Sequence, residues 1–228
     1  MPRGRAPGYD TQREQIVARA AALFARQGYS GTSMNQVAEA CGVSKASLYH
    51  YVHDKYQLLV EIAQGHVDRL RALVADESTH ATTPEARVRE LIVRFMAVYA
   101  DAQAEHRVLT EDVRFLLPKD RRRVLDGERE VVESFARAIA AARPELAAAG
   151  LQKPLTMLLF GMMNWMFTWM RPNGALTHAD MTPVVADLFF GGLGAVQAPR
   201  PKGAGRAAAA SSVRSRPHGN GVASPEAA

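Results

Sequence analysis

The stretch TSMNQVAEACGVSKASLYHYV, residues 32–52, decides the fold. Ser33 is placed to cap a short helix that carries Met34, Val37, Ala38 and Cys41 on one side. Gly42 breaks that helix, and Ser44 caps a second one running through Tyr51. Two short helices crossing steeply need a small residue at their closest approach, a turn residue tolerant of positive φ, and apolar pins. Ala38 supplies the first, Gly42 the second, and Val37, Val43 and Leu48 the third. This spacing matches a helix-turn-helix, although a generic helical hairpin obeys the same logic. The outward face separates the two readings. Ser44, Lys45, Ser47, Tyr49 and His50 are hydrogen-bonding or cationic groups suited to phosphate oxygens and base edges in a major groove. Ser44 leaves free N–H groups at a helix start, Thr32 and Ser33 do so one helix earlier, and Lys55 is placed to reach the backbone. Tyr49 also reads as a packing residue, and His50 as an exposed histidine without a role.

Outward from this segment the pattern is helical almost throughout, so the expected fold class is all-α with about nine helices. Ile16, Ala20, Leu23 and Phe24 recur at helical spacing until Gly28. Asp54 opens a longer helix to about Asp76, and Thr83 with Pro84 starts another that runs to about Leu117. Further helices are expected over about 119–142, 151–170 and 180–196, with RPNG (171–174) as a turn. From about Pro199 the chain is rich in Ala, Gly, Pro, Ser and Arg and reads as a disordered tail, either inert or adding affinity for DNA.

The chain has 228 residues, 47% of them apolar and 22% charged, as expected of a globular protein. Its net charge of +5 is uneven: +3 over residues 1–55, +4 from Arg200 onward, and −2 between. Basic ends attract polyanions. The single cysteine, Cys41, excludes a disulfide within the chain and any cysteine-cluster metal site. The opening MPRGRAPGYD lacks the apolar core of a secretory signal, and the longest uncharged run, 154–170, falls short of the roughly 20 residues of a membrane span. A cytoplasmic protein without membrane contact is expected. No Gly-rich phosphate loop, nucleophile elbow or His/carboxylate metal spacing is seen, so no catalytic residue, cofactor or metal is expected.

Residues 22–59, ALFARQGYSGTSMNQVAEACGVSKASLYHYVHDKYQLL, resemble the DNA-binding region of TetR-type (TetR/AcrR) transcriptional regulators. The resemblance implies a homodimer with a helix-turn-helix domain (1–53), an effector-binding and dimerisation domain (54–198) and the basic tail (199–228). It makes residues 44–50 the recognition helix and Tyr49, His50 and Lys55 contact positions, with Tyr51 beside them. Val52–His53 departs mildly from relatives that carry Phe and a basic residue there. The partners implied are a double-stranded DNA operator, a second copy of the chain and a small effector.

The segment LTMLLFGMMNWMFTWMRPNGALT, 155–177, is apolar around its circumference, as in helices buried on all sides, and its methionines suit either plain core or an adaptable ligand lining. Asn164 within it needs buried partners, and Trp165 and Trp169 share a face with Gly161. The pattern NW…TW.RP.G.L is similar to a subgroup of TetR-type regulators that sense coenzyme A thioesters. That similarity implies an acyl group in an apolar chamber, with Phe95, Tyr99, Phe115, Phe160, Met163, Asn164, Trp165 and Trp169 as candidate lining. It places the nucleotide end near Arg107, Arg114 and Arg171. Arg121–Arg123 read instead as a solvated helix face. Gly191, Gly192 and Gly194 beside Leu188, Phe189 and Leu193 suit close helix approach between subunits. The expected function is a repressor released by an acyl-CoA; the alternative is a repressor of an efflux or stress gene that answers a lipophilic ligand without CoA. An enzyme and a non-specific DNA binder are the other classes.

Overall fold

The computed structural model describes residues 8–76, 81–171 and 174–197. All regular structure among them is helical, as expected. Up to Val196 they belong to one packing unit; a second, from Gln197, lies almost wholly outside the described residues, and the expected basic tail falls there.

The chain enters through α1 (Tyr9–Gln27), which buries Ile16, Ala20, Leu23 and Phe24 and ends where Gly28 takes φ 80°. Helix α2 (Met34–Ala40) starts with a capping box: the Ser33 hydroxyl accepts from the Gln36 N–H while the Gln36 side chain accepts from the Ser33 N–H. Gly42 takes φ 66°, and the Val43 N–H donates back to Ala38. Helix α3 (Lys45–Leu48) is capped by Ser44 and continues as turns to Tyr51, so its regular part is shorter than the sequence suggested. Asp54 caps α4 (Lys55–Ala75), and Thr83 with Pro84 starts α5 (Pro84–Asp101).

Beyond α5 the structure divides more finely than the periodicity indicated. The helix expected to reach Leu117 breaks at Ala102 (φ −119°, ψ 39°), giving α6 (Gln103–Asp112) and a 3-10 turn at Val113–Phe115. Hydrophobic periodicity continues through this break, so the pattern alone did not expose it. Then come α7 (Pro118–Ala142), α8 (Pro144–Ala148), α9 (Gln152–Asn164), α10 (Met166–Trp169) and α11 (His178–Leu193). The single helix expected over 151–170 is interrupted at Trp165.

Two apolar clusters hold the unit together. One joins α1–α3 to the first half of α4, with Val108, Leu109, Leu116 and Val124 from the body. The other, around Phe95, Phe135 and Phe160, unites α5, α7, α9 and α11 and takes in Leu70 near the end of α4. Helix α4 therefore contributes to both. Where α7 crosses it, a Cβ on Gly127 would stand 2.5 Å from the Val67 Cγ1, closer than van der Waals contact permits. Glycine is required by that approach.

Candidate nucleic-acid interface and effector chamber

In the α2–α3 unit, Val37 and Leu48 are buried, and Lys45, Tyr49 and His50 stand outward. The side chains of these three form no hydrogen bond or ion pair among the described residues. Ser44 and Ser33 are exposed, each occupied as a helix cap; Ser47 is half-buried. Tyr51 stacks on Tyr9 with ring centroids 4.9 Å apart, and the Tyr9 hydroxyl donates to the His50 carbonyl at 3.2 Å.

Two expected contact residues are turned inward. Thr32 is buried; its hydroxyl donates to the Gly28 carbonyl at 2.9 Å and accepts from the Gln27 amide. The Lys55 ammonium donates to the carbonyls of Tyr29 (2.9 Å) and Thr32 (2.8 Å) and lies 4.4 Å from the Tyr29 ring centroid. Both lock the turn before α2 rather than face solvent, because the carbonyls left free at that turn need donors. Nearby polar contacts tie head to body. The Tyr29 N–H donates to Asp112 (3.1 Å), the Tyr56 hydroxyl donates to Asp120 (2.7 Å) and accepts from the Leu117 N–H (3.0 Å), and Arg13 pairs with Glu61.

Within the body, α4–α7 and α9 enclose a chamber of about 500 Å³. Phe95, Tyr99, Phe160 and Asn164 line it, with Met157 of the methionine-rich segment, together with Val67, Leu70, Val131, Val132 and others the sequence did not suggest. The Asn164 amide has the partner its burial requires: the Tyr99 hydroxyl donates to Oδ1 at 2.8 Å. His106 also lines the chamber, stacked on Tyr99 with centroids 4.1 Å apart, and His66 lies 5.5 Å from it. Both imidazoles are buried; neither His66 nitrogen has a hydrogen-bond partner, and His106 makes no well-formed hydrogen bond, only a weak interaction with the Asn164 backbone. Burial pushes His66 down to about 3, reinforced by His106 and Arg69. It pushes His106 down to about 4, partly opposed by the Asn164 backbone and reinforced by His178. Both rings are therefore neutral near pH 7. Burial raises the carboxyl of Glu128 in the chamber wall.

The other expected ligand residues lie elsewhere. Met163 is packed in the core, whereas Trp165 and Trp169 are 67% and 51% exposed. Leu158 is exposed too, so the segment is not buried on all sides. The shared face inferred for Gly161 and the tryptophans faces outward, and no other element among the described residues covers it. Arg107 pairs with Glu111 at 3.1 Å, and Arg114 lies over Phe115, which itself packs on Tyr29 at the joint. Arg171 is exposed, and part of its expected turn, residues 172–173, lies outside the described residues. None of Arg107, Arg114, Phe115 and Arg171 lines the chamber. His106 was missed, although a histidine at helical spacing from Ala102 and Leu109 carries the signal of an inward polar residue.

Among the described residues no group of three or more His, Cys, Asp or Glu side chains is placed to hold a metal, and no helix is long and apolar enough to cross a membrane.

Residues 16–62 match the family of bacterial regulatory proteins of the tetR type, and residues 81–193 match a tetracyclin repressor-like C-terminal domain. A solved TetR-family transcriptional regulator from Bordetella parapertussis is 32% identical, over 82% of this chain and 98% of that one, with a TM-score of 0.71. The chain belongs to the TetR family. It is a transcriptional regulator, in a family of regulators rather than enzymes. It is also 28% identical to the regulator HbdR of an Aromatoleum species, over 70% of this chain and 69% of HbdR. Other curated relatives are spanned over about half of their own length. AibR, solved with isovaleryl coenzyme A and operator DNA, shares the fold at 23% identity and a TM-score of 0.66, over 78% of this chain and 97% of AibR.

Proposed function

We propose that the chain is a one-component repressor that binds a palindromic operator as a homodimer and leaves it when a CoA thioester enters the chamber. The observation that carries this reading is the pairing of an outward Lys45–Tyr49–His50 face with a body that holds an apolar chamber. Residues 1–53 would supply the DNA-binding head and 54–198 the effector and dimer functions. The apolar surface left uncovered by Leu158, Trp165 and Trp169, beside Val184 and Leu188 on α11, supports dimerisation. A Cβ added at Gly161, Gly191 or Gly192 would meet nothing within 4 Å, leaving room for a partner helix. Two heads on one two-fold axis would read half-sites about one helical turn, some 34 Å, apart. A DNA-binding role implies a cytoplasmic protein. The neutral His106, stacked on Tyr99 in the chamber wall, offers a ring N–H, which suits a thioester carbonyl. AibR with isovaleryl coenzyme A adds support for this ligand class.

Gel-shift titration of a palindrome selected from random duplex, with and without acyl-CoAs, tests the reading. The expected outcome is operator affinity about 10³-fold above random duplex, and release by a thioester. Equal affinity for random duplex would overturn it. Release by a lipophilic ligand lacking CoA, and not by thioesters, would favour the alternative.

A further inference from the structure

A second, shallower space of about 330 Å³ adjoins the chamber. Leu116, Pro118, Arg121, Arg122, Leu125 and Arg129 line it, and Leu125 and Arg129 also belong to the chamber wall. Apart from Leu116, these residues sit at helical spacing on one face of α7, and the same face continues as Val132 in the chamber. The strip is thus basic at its N-terminal end and apolar further along. From Arg122 to Val132 it covers about 15 Å at 1.5 Å per residue.

The charge at the basic end is free. Arg71, Arg89, Arg94 and Arg143 in the same body are each held by a carboxylate. The guanidinium groups of Arg121 and Arg122 have no ion pair or hydrogen bond among the described residues, and Arg129 is shared with Asp126 at 2.5 Å. Lys119 and Arg123 add to the positive field. Asp120 opposes it, but its carboxylate is engaged by the Tyr56 hydroxyl. Guanidinium groups bind phosphate through paired donors, and the start of a 25-residue helix adds favourable partial charge.

Resting on the reading of the chamber as an effector site, we propose that the Arg121–Arg122–Arg129 groove binds the phosphates of the CoA moiety while the acyl group occupies the chamber. The arginine strip is then the element that tells a CoA thioester from a free acid of the same chain length. It replaces Arg107, Arg114 and Arg171 in that role.

Calorimetric titration of hexanoyl-CoA and hexanoyl-pantetheine into the wild-type chain and into R121A/R122A tests this. Arg121 and Arg122 are exposed, so folding should survive, and R121K/R122K should retain much of the affinity. Loss of two charge-assisted contacts is expected to weaken hexanoyl-CoA binding at least about 30-fold in R121A/R122A. Hexanoyl-pantetheine, which lacks the nucleotide phosphates, should bind both proteins alike, and weakly. Lysophosphatidic acid, a phosphorylated amphiphile without a nucleotide, should bind less tightly than hexanoyl-CoA. Equal hexanoyl-CoA affinity in R121A/R122A, a tighter lysophospholipid, or wild-type affinity for the pantetheine thioester matching that for the CoA thioester would each overturn the proposal. Failure of any CoA thioester to bind, with operator release by another ligand, would overturn it and leave the repressor reading standing. Thioester binding without operator recognition would do the reverse.

Discussion

The head and the body handle polar groups in opposite ways. Around α2 and α3, polar groups find partners within a few residues: the exposed caps Ser33 with Gln36, Ser44 with Ser47 and Asp54 with Gln57, and the buried Thr32 with Gly28. Its unsatisfied donors and acceptors point outward. The body does the reverse, with His66 buried and unbonded and His106 buried without a well-formed hydrogen bond. An unpaired buried polar atom costs about 1–3 kcal/mol, so the body carries a local penalty that a ligand with a complementary group would offset. The head is built for affinity at its surface, the body for affinity inside.

The largest expected effect tests the body. Both histidines are depressed in the folded state relative to 6.5 when unfolded. As pH falls below about 6.5 the unfolded chain takes up protons that the folded chain refuses, so stability is full above that pH and drops through about 4 and 3. The loss amounts to several kcal/mol, since each tenfold weakening of proton affinity on folding is worth about 1.4 kcal/mol. Chemical denaturation at pH 7.5 and 5 should show it, and H106L should flatten the slope; a slope unchanged by H106L would show that the ring titrates normally.

Next comes the head's outward face. K45A/Y49A is expected to weaken operator binding about 100-fold or more, each lost contact being worth about 1–3 kcal/mol. Because these side chains hold nothing inside the chain, the midpoint of thermal unfolding should stay within about 2 °C. A large fall in that midpoint would show them to be packing residues.

A third, smaller effect lies where α4 and α7 meet. G127A sets a methyl against Val67 and should cost about 1–3 kcal/mol by urea titration. V67A/G127A should recover part of the loss; additive losses would mean the two positions do not touch. The smallest effect belongs to the caps: S33A should lower stability by about 1 kcal/mol and leave effector affinity unchanged.

The same contrast explains what could be read from the chain. Ser33, Gly42, Ser44, Asp54 and Thr83–Pro84 act through bonds spanning a few residues, and their helices begin or turn where those residues predicted. Lys55 misled because its two carbonyl partners are 23 and 26 positions away. Trp165 and Trp169 were correctly placed on one face, but nothing local fixes which way that face turns. Arg121–Arg123 are exposed, as the sequence indicated, but that Arg121 and Arg122 border a space beside the chamber was not legible, since the chamber is assembled from five helices. Helical spacing could have turned His106 inward, but that it shares a space with Glu128 became visible only when α6 and α7 closed on it.

Gly127 lets α7 lie directly against α4 at Val67. The Val67 contact lies twelve residues from Lys55, about 18 Å along a stiff α4, and the Leu70 arm reaches into the apolar cluster of the body. If a guest in the chamber pushes that short arm so that α4 tilts about 5°, the far end swings about 1.5 Å. Lys55, clamped to the turn before α2, would carry the whole reading head with it, and a two-fold copy would double the mismatch in spacing.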